Sequence, residues 1–339
     1  MKRWRLPEEA GVAIILVLVV LVMSILSPNF RTLSNAQILL LNGAVIAFLA
    51  MGQTFVLLTG GIDLSTGSNV AMTGVLAAVL MKYGMPWEVA SLLAICAGVS
   101  LGIVNGFFIH YVGLPAFIVT FSTFGVAASI PLIITGANSV SIKDYDFALV
   151  GRGAFLGIPM PVLLVFVAAI ILTVILRLTP LGVQIYATGG NAETSRLAGV
   201  NIGRTIIVVY AVSGLCAAMG GLITASRLMV GYPSAGSGNE LFFSIASAVV
   251  GGVSLFGGIG SILGALLGAV LIAAVSNGMN VVGVPSYWQP LVIGLIILTG
   301  VTIDTYRRRV SFGELARRFG RRQPQPAAPT PTDTQNRSS

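Results

Sequence analysis

Residues 10–27 read AGVAIILVLVVLVMSILS, without a single charge. A helix rises about 1.5 Å per residue, so roughly 20 apolar residues cross the ~30 Å hydrocarbon layer of a bilayer. Working outward, nine further apolar stretches follow: 36–59, 67–82, 88–110, 114–136, 159–178, 204–227, 241–256, 259–283 and 287–304. The stretches 67–82 and 241–256 are short, and the Gly-rich turn near residue 257 leaves 241–260 open to a re-entrant reading. The expected fold class is an all-α polytopic membrane protein of about ten transmembrane helices. Its domains would be an N-terminus at 1–9, a membrane domain at 10–305, a basic segment at 306–322 and a tail at 323–339.

Composition agrees with a bilayer as solvent. Of 339 residues, 55% are hydrophobic and 9% charged; a soluble domain carries about 25% charged residues. Mean hydropathy is +0.94. The 41 glycines suit close helix packing in lipid, where small residues let backbones approach. One histidine (His110) and two distant cysteines (Cys96, Cys216) allow no metal cluster and no disulfide framework. None of the three lysines (Lys2, Lys82, Lys143) follows a Gly-rich loop, so a phosphate-binding G-x-x-x-x-G-K-[ST] loop is absent. The net charge of +8 lies at membrane edges and in the tail, which argues against nucleic acid.

Lys2, Arg3 and Arg5 precede the first apolar run as in a signal peptide. The run is long, however, and no small-x-small cleavage site follows before Pro28, so an uncleaved first helix is expected. With ten crossings and the N-terminus inside, Arg31, Lys82, Lys143, Arg152 and Arg227 fall outside, and the other fourteen of the nineteen Lys and Arg fall inside. That bias supports N-in and C-in. After Asp304 the apolar pattern stops. Arg307–Arg309 form a basic cluster, 311–322 suit a short basic surface helix, and the Pro/Thr/Gln-rich run from Gln323 should be disordered.

Four features are candidates for function. In GGIDLSTGS (60–68), Asp63 is the only acid between Glu9 and Glu88. A carboxylate near hydrocarbon needs a partner or a role. Capping of the next helix through Ser65, Thr66 and Ser68 is preferred over a substrate ligand. The 179–204 loop holds a short helix with Asn191 as N-cap, Glu193 in its first turn, Arg196 in its last and Gly199 as a left-handed stop. Two turns are too few to stand alone in water. The residues leave open whether this helix lies on its own membrane domain or meets a cytoplasmic partner; Leu197 and Ala198 would face that partner. Gly260, Gly264 and Gly268, four apart, suggest a packing ridge, preferably within one subunit. Finally, Gln53, Asn105, Thr120, Thr123, Asn277 and Gln289 place uncharged polarity inside the apolar stretches. Most are expected to bridge helices; some could line a path for a neutral solute.

With these residues in view, the chain resembles a known family. GGIDLSTGS (60–68), GNAETSRLAGVNIGR (190–204), VYAVSGLCAAMGGLITASR (209–227) and the run 248–298 from AVVGG to LIIL are similar to permease subunits of bacterial ABC importers for ribose, xylose and related monosaccharides. More distantly they resemble branched-chain amino-acid permeases. The resemblance implies an inner-membrane subunit that pairs with a second permease. A cytoplasmic ATPase would supply the ATP and Mg chemistry, with no cofactor in this chain, and a periplasmic binding protein would deliver the sugar. It also implies that Asn191–Gly199 docks on the ATPase. Phe242-Phe243, where relatives commonly carry Asp-Ala, weakens any transfer of sugar identity. The competing class is an ion-coupled secondary transporter, which generally needs more buried ionisable groups than Asp63 and His110. An enzyme is remote without a catalytic cluster.

Overall fold

Each of the ten expected stretches forms a helix in the computed structural model, which describes residues 8–236 and 239–320. In chain order the helices are α1 (Glu8–Leu26), α2 (Leu33–Leu58), α3 (Thr66–Lys82), α4 (Trp87–His110), α5 (Ala116–Thr135), α6 (Ala148–Arg152), α7 (Met160–Leu178), α8 (Pro180–Gly190), α9 (Ala192–Leu197), α10 (Ile202–Leu228), α11 (Glu240–Val250), α12 (Ile262–Val281) and α13 (Gln289–Gly320). Two small antiparallel pairs accompany them. β1 (Val140–Ser141) pairs with β4 (Val230–Gly231), and β2 (Ala154–Phe155) pairs with β3 (Ile158–Pro159).

The starts follow local chemistry. Proline precedes or opens α4, α5, α7 and α8, where its missing N–H costs nothing. Thr32, Asn201 and Ser261 cap α2, α10 and α12, each side chain accepting a backbone N–H three residues on. Seven helices among the described residues are long and apolar enough to cross a membrane, with best-window mean hydropathy from 1.8 to 2.8. At 17 and 11 residues, α3 and α11 are shorter. α11 covers about 16 Å, so it does not cross alone, and it ends at Val250 rather than at the expected residue 256.

The connections sort to two ends. Segments 59–61, 251–261 and 179–201 meet at one end, where Ser261 Oγ also donates to Glu9 Oε1 at 2.9 Å. The β1–β4 pair, the reciprocal Asn35–Asn277 amides and Arg227, which donates to Leu41 O and Asn42 Oδ1, lie at the other. α2, α10 and α12 fill the interior, while α1 packs outside against α12.

Glycine sets the closest helix pairs. On α12, Gly264 and Gly268 lie directly against the carbonyl oxygens of Gly251 and Ser247 at the end of α11. Gly260 is not on that ridge. It sits in the turn before the Ser261 cap with φ +147°, a conformation that glycine adopts without strain. A second glycine ridge, on α4, does similar work. Gly98, Gly102 and Gly106 of α4 face α10, where an added Cβ would lie 2.8 Å from Ala218 Cβ and 2.7 Å from Ile207 Cα at Gly98 and Gly106, and would overlap the Tyr210 carbonyl at Gly102.

Residues up to Val301 form one compact unit, and those from Thr302 form a second. In the second, α13 runs to Gly320 without a separate surface helix at 311–320. Residues 1–7 and 321–339 lie outside the described residues, and with them most of the expected N-terminus (1–9) and the whole expected tail (323–339).

Candidate functional site

The chain leaves helical geometry after Leu58 and resumes it at Thr66, inside the bundle. Irregular backbone at membrane depth must be satisfied by protein. Here Asp63, 1% exposed, organises it. Its Oδ1 accepts from Ser65 N–H at 2.9 Å and Ser65 Oγ at 2.6 Å. Its Oδ2 accepts from Ser213 Oγ at 2.7 Å. Ser213 stands eleven residues into α10, about 16 Å along that helix. Asn105 Nδ2 donates to Ser65 Oγ at 2.9 Å, and Thr123 Oγ1 donates to Asn105 Oδ1 at 2.7 Å. The hydroxyls of Thr120 and Tyr210 both donate to Ile62 O at 3.2 Å.

Four of the path candidates from the sequence, Asp63, Asn105, Thr120 and Thr123, therefore form one network. Thr66, expected to help cap Asp63, does not bond to it, and Ser213 of α10 had no signal in the local sequence. Asp63→Ala would strand three buried donors at about 1–3 kcal/mol each. The expected result is a clear fall in the melting temperature of the detergent-solubilised protein, smaller for Asp63→Asn. Equal melting of Asp63→Ala and the wild type would show that this carboxylate does not hold the break.

Asn277 and Gln289 lie away from this network. Asn277 Oδ1 accepts from Asn35 Nδ2 at 2.9 Å and Asn277 Nδ2 donates to Asn35 Oδ1 at 3.0 Å. Gln289 accepts from Ser276 at 2.9 Å and donates to Asn280 at 2.8 Å. Both join helices, as most such residues are expected to do. Gln53 is different: it is fully buried, and neither its Oε1 nor its Nε2 has a partner.

The short helix α9 has the caps that its sequence calls for. Asn191 Oδ1 accepts from Thr194 N at 2.9 Å. At the other end Gly199 has φ +85°, with Gly199 N donating to Arg196 O and Val200 N to Ser195 O, the two bonds of a Schellman stop. Glu193 and Arg196 pair at 2.6 Å on its exposed side, and the guanidinium holds the Glu193 carboxyl below its ordinary range. Ser195 turns inward and is buried, while Leu197 is 76% exposed and Ala198 is exposed. The helix thus rests on its own chain on one side and offers an apolar tip on the other.

Ahead of it stands α8, a helix within the segment 179–204 whose sequence predicts a loop. Its end is wedged without side chains. Gly189 lies against Leu58 O and beside Gly258 N, and Gly258 N itself donates to Leu58 O at 2.9 Å. Tyr186 OH donates to Gly260 O at 2.8 Å. The segment leading into α9 therefore touches both the last turn of α2, just before the Asp63 break, and the glycine turn between α11 and α12.

Residues 35–300 match a family model described as branched-chain amino acid transport system, permease component. The ribose import permease protein RbsC of Bacillus subtilis is 38% identical over 299 residues, covering 88% of this chain and 92% of that protein. The D-allose transport system permease protein AlsC of Escherichia coli is 36% identical, covering 88% and 91%. The L-arabinose ABC transporter permease protein AraH of Azospirillum brasilense is 34% identical, covering 90% of each chain. No solved structure matches. The apolar helices and a match across most of the length agree: this chain belongs to the ABC-importer permease family, as a multi-pass membrane component of a transport system.

Proposed function

We propose that the chain is the membrane-spanning permease subunit of an ATP-driven importer that moves a monosaccharide, a ribose-like pentose or related sugar, from periplasm to cytoplasm across the inner membrane. α9 carries this reading. An exposed leucine on a doubly capped two-turn helix, backed by a glycine contact to the Asp63 break, suits a surface pressed by a partner. Asn191, Glu193, Arg196 and Gly199 shape that surface, and Leu197 and Ala198 touch the partner, a cytoplasmic ATPase that holds ATP and Mg. A second permease subunit and a periplasmic sugar-binding protein complete the system. Asp63, Asn105, Thr120 and Thr123 hold the break beside the path, and alternating access follows from movement of α8 and α9 against α2.

Uptake of radiolabelled D-ribose, D-allose and L-arabinose tests this reading in cells expressing the importer with and without its ATPase. Uptake that persists without the ATPase would favour ion-coupled transport, and uptake of L-leucine alone would favour an amino-acid permease.

The same reading puts both termini and α9 in the cytoplasm. In a Cys96→Ser background, an impermeant thiol reagent applied from the periplasm should label Tyr145→Cys, a residue 84% exposed at the opposite end, and should spare Ser338→Cys. Labelling of Ser338→Cys would reverse the topology.

A further inference from the structure

The seam between α7 and α12 carries two cavities, neither lined by the Asp63 network. The first, about 170 Å³, lies at the end of the bundle where α1 and α12 begin and α7 stops. Glu9 of α1, Arg177 of α7 and the backbone turns at Gly251–Gly252 and Gly260–Ser261 line it. Ser261 Oγ holds Glu9 Oε1 at 2.9 Å, which leaves Oε2 for another donor. Glu193–Arg196 is the only ion pair among the described residues, so Glu9 and Arg177 line one small cavity without meeting across it. Opposite charges set apart in one cavity match a ligand that carries both signs.

The second cavity, about 200 Å³, is a groove between α2, α7 and α12. Every residue that lines it is apolar, Phe166 and Ala169 of α7 and Leu266 and Val270 of α12 among them. A stripe joins the two cavities. The first half of α12 is buried except at Leu263, Leu266, Leu267 and Val270, which share one helical face. That open face starts just after Ser261, in the polar cavity, and ends in the groove. Along α7, Arg177 and Phe166 stand about 16 Å apart. One leaflet of hydrocarbon is about 15 Å deep, half of the bilayer core. The seam is thus charged at its end, apolar inside, and as long as one leaflet is deep.

We propose that a phospholipid with an amine headgroup seats in this seam. Its phosphate meets Arg177, whose guanidinium suits phosphate oxygens. Its ammonium donates to Glu9 Oε2. One acyl chain follows Leu263 and Leu266 to the groove at Val270 and Phe166. Phosphatidylethanolamine has this chemistry. Phosphatidylglycerol lacks the ammonium, and phosphatidylcholine has no N–H to donate. Seated there, the lipid ties α1 and α7 to the start of α12, a role apart from the solute carried.

The test uses the purified full-length chain in detergent, with the three lipids titrated separately and bound lipid read by native mass spectrometry. The wild type should hold one phosphatidylethanolamine at least tenfold more tightly than either other lipid. Arg177→Gln should lose at least tenfold in affinity for it. Glu9→Gln should bring phosphatidylethanolamine down to the level of phosphatidylglycerol without weakening the latter. Val270→Phe fills the groove and leaves both charges in place, and it should weaken all three lipids. If Arg177→Gln does not fold, Glu9→Gln decides, since it keeps the bond from Ser261 and changes only headgroup preference. Equal affinities for the three lipids in the wild type, or wild-type preference in Glu9→Gln, overturn the site. Inorganic phosphate that binds through Arg177 while no lipid is retained would make this a free-anion site and overturn the lipid reading. None of these outcomes depends on which solute is imported.

Discussion

Ala198→Glu is expected to abolish sugar uptake while leaving the membrane helices in place. Ala198 ends α9 at φ −80° and ψ 7°, a conformation that glutamate accepts, and its side chain is exposed. The folded chain therefore has no reason to reject the substitution. Only a partner would notice it. A carboxylate at that position opposes the negative end of the helix dipole, sits beside the apolar Leu197 tip, and would be stripped of water by a docked protein. Burying an unpaired charge at an interface costs several kcal/mol. About 2.8 kcal/mol is a hundredfold in affinity. Co-purification of the ATPase and uptake should fall together by at least that factor, with normal permease in the membrane. Wild-type values for both would move the coupling contact to the 257–260 turn, which lies against the same α8 end.

Gly268→Leu should fail earlier, at folding. The position of its Cβ is already occupied by the Ser247 carbonyl oxygen and lies 3.0 Å from Gly251 N, all of it backbone that has no rotamer to change. Gly264 meets Gly251 O in the same way. A branched side chain must part α12 from α11, at a cost at the upper end of the roughly 1–3 kcal/mol typical of overpacking, since only backbone can give way. The expected result is loss of the monodisperse peak when a fluorescent fusion of either variant is run on size exclusion in detergent. Gly125→Leu is the control, since nothing lies within 4 Å of its Cβ position on α5. A normal peak for Gly268→Leu would mean that α11 and α12 are not packed as described.

What could be read from the sequence followed from physics local to the chain. The spans were legible because hydrocarbon thickness imposes a length, and α5 and α7 fall within two residues of the expected bounds for that reason. α9 was legible because Asn191 and Gly199 act within four residues of themselves. α8 was not: Gly182, Thr188, Gly189 and Gly190 are poor helix formers, and that helix is held by packing on α2, α7 and α10. Gly260 was misplaced on a ridge because spacing by four does not reveal where the Ser261 cap begins the helix.

By itself the sequence determined the solvent, the approximate helices, the two caps of α9 and the family resemblance, since each depends on composition or on neighbours a few residues apart. Only the tertiary structure decided which polar residues are satisfied. Asp63 finds Ser213 across 150 positions, Asn277 finds Asn35 across 242, and Gln53 finds nothing. Hydrogen bonds between helices depend on which faces meet and in what register, and glycine contacts such as Gly189 with Leu58 set that register through backbone shape rather than residue identity.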